Sequence, residues 1–353
     1  MKNINFKNFE PFSLSKKEKS FFFFNEIKKL TKHHYANSKE YKKILNFTNK
    51  KNDFKHLDEI PFLPIYLFKE YELMSISKDK VFKTLNSSGT SGQKKSKIFL
   101  DSTNAQSQQL VLSKILTNII GSRRLPMLIV DKNPKNFSKS ELSAKSAAIN
   151  GFSIFGRDHL YLLNEKSEID YLNLNIFLEK YADKSFLIFG FTSIVFKNLF
   201  SDIKLKKIKN NFRNGILMHG GGWKKIENIK VSSFEYKKKL FNKLKLKHIY
   251  NYYGLVEQTG SIFIECKYCN YLTTSVFSEI IIRDKYLNVA KNGKKGFIQV
   301  MSLLPTSYPG HSILTEDIGE IISKGNCICS KYSTRFKVHG RLPLSEVRGC
   351  SDI

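Results

Sequence analysis

The sequence contains no apolar run long enough to cross a bilayer. A spanning helix needs about 20 apolar residues, and the densest early cluster, Phe21–Phe24, is a small fraction of that. The basic start, apolar middle and small-residue cleavage site of a secretory signal are missing too. The chain is therefore expected to be cytoplasmic, with no membrane span. Acidic residues are scarce, 31 against 59 lysines and arginines, for a net charge of +28. Such a field attracts polyanions and acidic proteins. The lysines, however, are spread along the whole chain, around 16–19, 42–43, 94–97, 204–209 and 237–247. That spread favours a solvated basic surface, or docking of an acidic protein, over a nucleic-acid groove. Cysteines are few: five in a chain without a secretion signal read as metal ligands or nucleophiles before disulfides. Internal repeats and low-complexity linkers are absent, and a hydrophobic fraction of 41% is enough for a sizeable core.

Ser15-x-x-Glu18 is a capping-box pattern ahead of an amphipathic stretch to about Leu30, and a second helix is expected from Ser38 to Phe47. Pro61 and Pro64 then interrupt regular structure. From Val81 onward the pattern alternates. Strands are predicted at 81–85, 97–100, 126–130, 186–190, 215–218, 248–253, 261–265, 278–282, 297–301 and 335–338. Helices are predicted at 103–120, 167–182, 192–209 and 233–245. Alternating elements predict an α/β fold with sheets packed between helices.

The segment Asn86-Ser-Ser-Gly-Thr-Ser-Gly-Gln-Lys-Lys-Ser-Lys97 joins strand to strand. Gly89 and Gly92 let backbone approach a ligand closely. Ser87, Ser88, Thr90 and Ser91 offer hydroxyls beside exposed amides, and Lys94, Lys95 and Lys97 add positive charge, so the loop can wrap a polyphosphate. It departs from a Walker loop, which needs a second glycine where this chain has Lys94. A flexible surface hairpin is the plain alternative. Further along, His219-Gly-Gly-Gly-Trp-Lys224 follows a short apolar strand. Asn251-Tyr-Tyr-Gly-Leu-Val-Glu-Gln-Thr259 follows another, and Thr315-Glu-Asp-Ile-Gly-Glu320 and Val338-His-Gly-Arg-Leu-Pro343 complete the set. An aromatic face at Tyr253 suits a nucleotide base, and a carboxylate at Glu257 suits a hard cation that bridges phosphates.

In this order the motifs resemble those of the adenylate-forming superfamily, which includes acyl-CoA synthetases. That resemblance implies Gly220, Gly221 and Gly222 bordering adenine, with Tyr253 and Gly254 beside it. It also implies Glu257 on the Mg2+ of MgATP, Asp317 on the ribose hydroxyls and Arg341 on ribose or phosphate. Glu316 replaces the usual glycine before Asp317, and Pro343 stands where a hinge aspartate is usual. Tyr253–Phe263, Ser302–Asp317 and the terminal Arg348-Gly-Cys-Ser narrow the resemblance to the acyl-protein synthetases of the bacterial bioluminescence fatty-acid reductase complex. For that family residues 1–80 would be a helical N-terminal part, 81–340 the adenylate-forming core and 341–353 a short tail carrying Cys350. The small C-terminal domain of the superfamily would be absent or vestigial.

The resemblance implies an enzyme that activates a fatty or other carboxylic acid with ATP, takes the acyl group onto Cys350 as a thioester, and delivers it. The acceptor would be an acyl-CoA reductase-like enzyme or an acidic acyl carrier protein. Lys94 and Glu257 join Cys350 as candidate catalytic residues. Arg348 would favour the thiolate, the attacking species. Two alternatives stay open: a ligase that delivers the acyl group directly to coenzyme A or a carrier, and an inactive scaffold or basic nucleic-acid binder. Phe186–Phe191 and Pro61–Leu67 are either acyl-pocket walls or plain core. Cys266-x-x-Cys269 and Cys327-x-Cys329 suit a closed tetrahedral Zn2+ site, with buried free thiols as the alternative. His311 and His339 read as packing or capping residues.

Overall fold

The computed structural model describes residues 4–48, 54–87, 94–137, 144–200, 211–222 and 232–341. Among the described residues no helix is long and apolar enough to cross a membrane.

Helix α1 (Lys16–Asn37) opens on the expected capping box: the Ser15 hydroxyl accepts from the Glu18 N–H, and the Glu18 carboxylate accepts from the Ser15 N–H at 2.8 Å. The helix runs a further two turns past the expected end near Leu30. Its buried stripe, Phe23, Ile27, Leu30 and Thr31, continues through His34, a polar residue that apolar periodicity does not register. Ser38 caps α2 (Lys39–Phe47). The short β1 (Leu63–Pro64) and α3 (Leu67–Glu70) follow, then the antiparallel pair β2 (Lys83–Asn86) and β3 (Lys97–Leu100), then α4 (Ser102–Ile120).

The next stretch alternates, with α5 and β5 added to the predicted elements: β4 (Leu125–Ile129), α5 (Ala144–Ser153), β5 (Gly156–Tyr161), α6 (Tyr171–Tyr181), β6 (Phe186–Phe191), α7 (Thr192–Val195), β7 (Gly215–Gly220), α8 (Ser233–Leu244) and β8 (His248–Tyr253). Beyond Tyr253 the chain turns to strands: β9 (Phe263–Glu265), β10 (Leu272–Thr273), β11 (Ser278–Arg283), β12 (Gly296–Ser302), β13 (Ser312–Cys327) and β14 (Ser330–Arg341).

Contacts group the described residues into two compact units. The first holds 4–48, 54–87, 94–116 and 253–341. Its main sheet has the order β11-β12-β13-β14-β10-β9, antiparallel throughout its named pairs, with β1 added parallel to β13. Its core joins Tyr41, Leu45, Leu63, Phe68, Ile98, Leu100, Phe263, Ile280, Val300 and Phe336. Leu63 is thus core, with Ile65 and Leu67 packed against it.

The second unit holds 117–137, 144–200, 211–222 and 232–252. Its sheet is parallel, in the order β8-β7-β6-β4-β5, with connecting helices. β6 is buried along its whole length, as a central parallel strand should be. Phe186 and Ile188 belong to the hydrophobic cluster with Phe177, Leu217 and Leu240, and Phe189 stacks on Phe152 at 4.4 Å.

The α/β expectation holds, with further corrections of detail. The predicted helix at 192–209 is helical only over Thr192–Val195 and then widens to a π-turn at Phe196–Phe200; residues 201–210 lie outside the described set. The long hairpin β13–β14 extends well beyond the short strand expected at 335–338. Register shifts at 318/319, 321/323 and 325/327 bend it, and Gly319 and Gly325 break its apolar alternation in the sequence.

Candidate active site

The first unit brings several of the predicted residues together. Tyr253 ends β8, and its hydroxyl donates to Asp317 Oδ2 at 2.6 Å. Asp317 on β13 stands opposite Arg341 on β14, and Arg341 Nε reaches Asp317 Oδ1 at 3.3 Å. The Asp317 N–H donates to Thr315 Oγ1, which itself donates to the Ile298 carbonyl at 2.8 Å. An acidic side chain with a phenol and a guanidinium on its two oxygens is a fixed acceptor, oriented before any ligand arrives. Burial, and then the Asp317 charge, push the Tyr253 phenol well above its ordinary range, so it acts as a donor.

Glu257 lies in a 3-10 turn, Val256–Gln258, and is 5% exposed. Its backbone carbonyl accepts from the Tyr308 hydroxyl at 2.8 Å, and the neighbouring Gln258 donates to the Gly310 carbonyl at 2.8 Å. A β-carbon on Gly310 would stand 2.7 Å from the Glu257 carbonyl oxygen, so this approach requires glycine. The loop that grips Glu257 is itself clamped by buried Asn104 at the start of α4. Asn104 donates to the Leu304 carbonyl at 2.6 Å and accepts from the Ser307 hydroxyl at 2.7 Å. Burial raises the Glu257 carboxyl above its usual range; the neighbouring Ser96 hydroxyl and the Arg341 and Lys69 charges pull it partly back. A buried carboxyl whose ionised form is under-compensated is a fitting ligand for a hard cation such as Mg2+.

Ser96, whose hydroxyl is buried without a hydrogen-bond partner among the described residues, stands at the base of the glycine-hydroxyl hairpin. The Ser96 N–H donates to the Ser87 hydroxyl at 2.8 Å, and the Ser87 N–H donates to the Ser96 carbonyl at 3.0 Å. Antiparallel β2 and β3 thus deliver both ends of the loop, as the sequence predicts. Ser88, Gly89, Thr90, Ser91 and Gly92 lie outside the described residues, as does Cys350. Lys94 is exposed and paired with Glu70 at 2.6 Å, while Lys97 pairs with Glu72. Gly254 is exposed, and a β-carbon there would stand 3.1 Å from the Ile262 side chain.

In the second unit Gly220 ends β7 under the Tyr252 ring: a β-carbon there would come within 2.5 Å of it. Gly221 takes a left-handed φ of +78°, and Gly222 follows it. The Thr192 hydroxyl donates to the Gly220 carbonyl and meets His219 Nδ1 at 2.9 Å. The requirement for glycine at 220 is therefore met by a tyrosine ring of the chain itself.

The four cysteines Cys266, Cys269, Cys327 and Cys329 gather in the first unit. The Sγ atoms of Cys266, Cys269 and Cys327 lie within 4.8 Å of one another, and Cys266 Sγ is 2.7 Å from Cys329 Sγ. His311 packs in the core, stacked on His34 and touching Thr31 at 3.0 Å, and His339 pairs with Glu320, as packing roles predict. Sequence reasoning missed Ser96, Asn104, Tyr308 and Gln258. The Ser-Tyr-Pro-Gly stretch at 307–310 marks a turn, but that it grips Glu257 is a tertiary fact.

Known proteins share this architecture. The chain resembles a 2-hydroxyisobutyryl-CoA ligase, solved in an open conformation with 2-HIB-AMP and CoA, with a TM-score of 0.73 at 13% identity, over 94% of this chain and 76% of that one. That likeness identifies the fold of adenylate-forming ligases. Among curated proteins it is similar to the long-chain-fatty-acid–luciferin-component ligase of Aliivibrio fischeri, 22% identical over 299 residues, covering 81% of this chain and 75% of the relative. The Vibrio harveyi protein of the same name is 20% identical over 335 residues, covering 92% and 85%. The family model described as acyl-protein synthetase, LuxE, matches residues 4–353, and the chain belongs to that family.

Proposed function

We propose that this chain activates a long-chain fatty acid as its acyl-adenylate and then holds the acyl group as a thioester on Cys350. ATP-dependent activation of a carboxylic acid follows from membership of the acyl-protein synthetase family; the fatty chain and the self-acylation go beyond it. The observation that carries it is the convergence of Glu257, Ser96, Tyr253, Asp317 and Arg341 within one unit, at the base of the glycine-hydroxyl hairpin.

In this reading Asp317 accepts hydrogen bonds from the ribose hydroxyls, and Tyr253 and Arg341 keep it ionised and oriented. The hairpin amides and hydroxyls from Ser87 to Gly92 cradle the phosphates. Glu257 would hold Mg2+, which when bound supplies neutralising charge for the phosphate oxygens. A substrate carboxylate oxygen attacks the α-phosphorus, forming the acyl–phosphate bond, while the α–β bridge breaks and pyrophosphate leaves with the electron pair. Positioning and fixed dipoles provide most of the assistance in such a transfer. The Cys350 thiol loses its proton to solvent, and its sulfur attacks the acyl carbon. The carbon–sulfur bond forms, the bond to phosphate oxygen breaks, and AMP leaves.

The acyl group then passes to a thiol of a reductase-like enzyme or to an acidic carrier protein. A net charge of +28 favours an acidic acceptor by steering its approach. Fatty-acid-dependent ATP–pyrophosphate exchange tests the first step, and a Cys350→Ser variant separates the second. Exchange is expected to persist in C350S while acyl-protein disappears. Acyl-protein that persists in C350S, or acyl transfer to coenzyme A at the wild-type rate, would sink the thioester step.

A further inference from the structure

Two tight turns, distant in sequence, present four thiols to one another at one end of the first unit's sheet. Cys266 directly follows β9. The Cys266 N–H donates to the Tyr271 carbonyl at 2.9 Å, the Asn270 N–H returns to the Cys266 carbonyl at 2.9 Å, and the Tyr268 N–H points at Cys266 Sγ from 3.4 Å. Asn270 closes the turn with a φ of +57°. This curled backbone places Cys266 and Cys269 side by side and donates an amide to a sulfur, which lowers the cost of making that sulfur a thiolate. The second turn is the tip of the β13–β14 hairpin. Cys327 pairs with Ser330, leaving only Ile328 and Cys329 in the loop. Buried Arg335 braces this tip by donating to the Asn326 carbonyl at 3.0 Å and to Ser323 at 2.7 Å.

A tetrahedral zinc–thiolate centre with Zn–S bonds of about 2.3 Å has sulfur–sulfur edges of about 3.8 Å. Cys266 and Cys327 stand at 3.7 Å, and Cys269 lies within 4.8 Å of both. Cys329 approaches Cys266 at 2.7 Å from the two-residue turn. Cys266 is buried, whereas the other three sulfurs keep partial access, which gives an ion a way in.

We propose that Cys266, Cys269, Cys327 and Cys329 bind one structural Zn2+ ion. Binding converts four thiols to thiolates, forms four Zn–S bonds and releases four protons to solvent, with no change of oxidation state. All four positions are taken by protein, so the centre is closed and holds no water for catalysis. Its place in the fold supports that role. Asp317 and Arg341 sit at the opposite end of the hairpin, ten residues from Cys327 and twelve from Cys329. At the rise of a β-strand that separation is about 30 Å. The ion fastens the β13–β14 tip to the β9–β10 turn, and so fixes the hairpin whose far end carries the candidate ribose ligand.

The test is elemental analysis of the full chain, purified under reducing conditions without metal-binding tags. About one zinc per chain is expected for a closed four-thiolate centre. C269S and C329S should each lose at least nine-tenths of it, while C350S should keep it. Because the serine variants can misfold, wild-type protein is also titrated with an organomercurial. Zinc should leave in step with the blocking of four thiols, and cobalt substituted for zinc should show the bands of a tetrahedral thiolate site. Zinc-free protein that takes up none, zinc retained in C329S, iron in place of zinc, or a Cys266–Cys329 disulfide in protein purified without reductant would each overturn the assignment. None of these readouts depends on acid activation, so their failure and the failure of the proposed function are distinguishable.

Discussion

Glu257 is a carboxyl that the fold buries without an ion-pair partner among the described residues, and two consequences follow for its titration. Its folded pKa is raised by burial, so the proton is held to a higher pH than on a free glutamate. Binding of a divalent cation with nucleotide needs the ionised form. The acid limb of kcat/KM for ATP should therefore lie above the ordinary glutamate range, with activity rising as pH increases through it. Glu257→Gln should erase that limb and lower pyrophosphate exchange on the order of 100-fold or more, the scale of losing one electrostatic stabiliser, here the proposed Mg2+ ligand. A limb that persists in E257Q would assign it to another group. Asp317 makes a different demand. Asp317→Asn keeps the shape but removes the charge that Arg341 faces at 3.3 Å and that the Tyr253 phenol bonds. A hydrogen bond to a charged group contributes about 1.5–3 kcal/mol, so the KM for ATP should rise about 10- to 100-fold with a smaller change in kcat. An unchanged KM would remove Asp317 from the nucleotide site.

Among the elements, the segments that hold Glu257 show how side-chain shape constrains backbone. Gly260 has a φ of +85°, and a β-carbon there would stand 2.5 Å from the Gln108 backbone oxygen. Gly293 has a φ of +77° with open space around it. Gly293→Ala should therefore cost about 1 kcal/mol for left-handed backbone alone. Gly260→Ala should cost clearly more, because α4 cannot retreat from a backbone clash, and denaturant midpoints of the pair measure the difference. Equal losses would refute the packing argument. The same contrast explains what the sequence revealed. The capping box at Ser15 and the strand–loop–strand frame of the hairpin were legible, because each is written in local chemistry. β5 was not, because Arg157, Asp158 and His159 are exposed on a strand at the edge of its sheet and carry no apolar alternation. The full length of α1 was hidden by His34, whose partners, Ser75 and the Pro305 carbonyl, come from far along the chain. The pairing of Lys94 with Glu70 is likewise announced by no local pattern.

Across the whole molecule, buried neutral imidazoles set an acid limit. Burial drives His219 and His311 each down to about 3, and His34 well below its ordinary value. Unfolded, these rings take up protons near the usual histidine range of about 6.5, so below that pH the unfolded state binds more protons than the folded one. Their contribution to stability is complete above about pH 6.5 and is lost as the pH falls from there toward 3. Melting temperature should decline over that window, more gently in a His311→Asn variant; a flat profile would contradict the burial argument. Membership of the acyl-protein synthetase family makes the chain an acid-activating ligase, and the proposed thioester on Cys350 is the step that sets it apart. Its most direct measurement is peptide mapping by mass spectrometry after incubation with MgATP and a series of fatty acids of increasing length. The account predicts a hydroxylamine-labile acyl adduct on the peptide containing Cys350, dependent on ATP and absent from C350S. ATP cleaved to AMP in step with added fatty acid, with no acyl group ever found on that peptide, would contradict it.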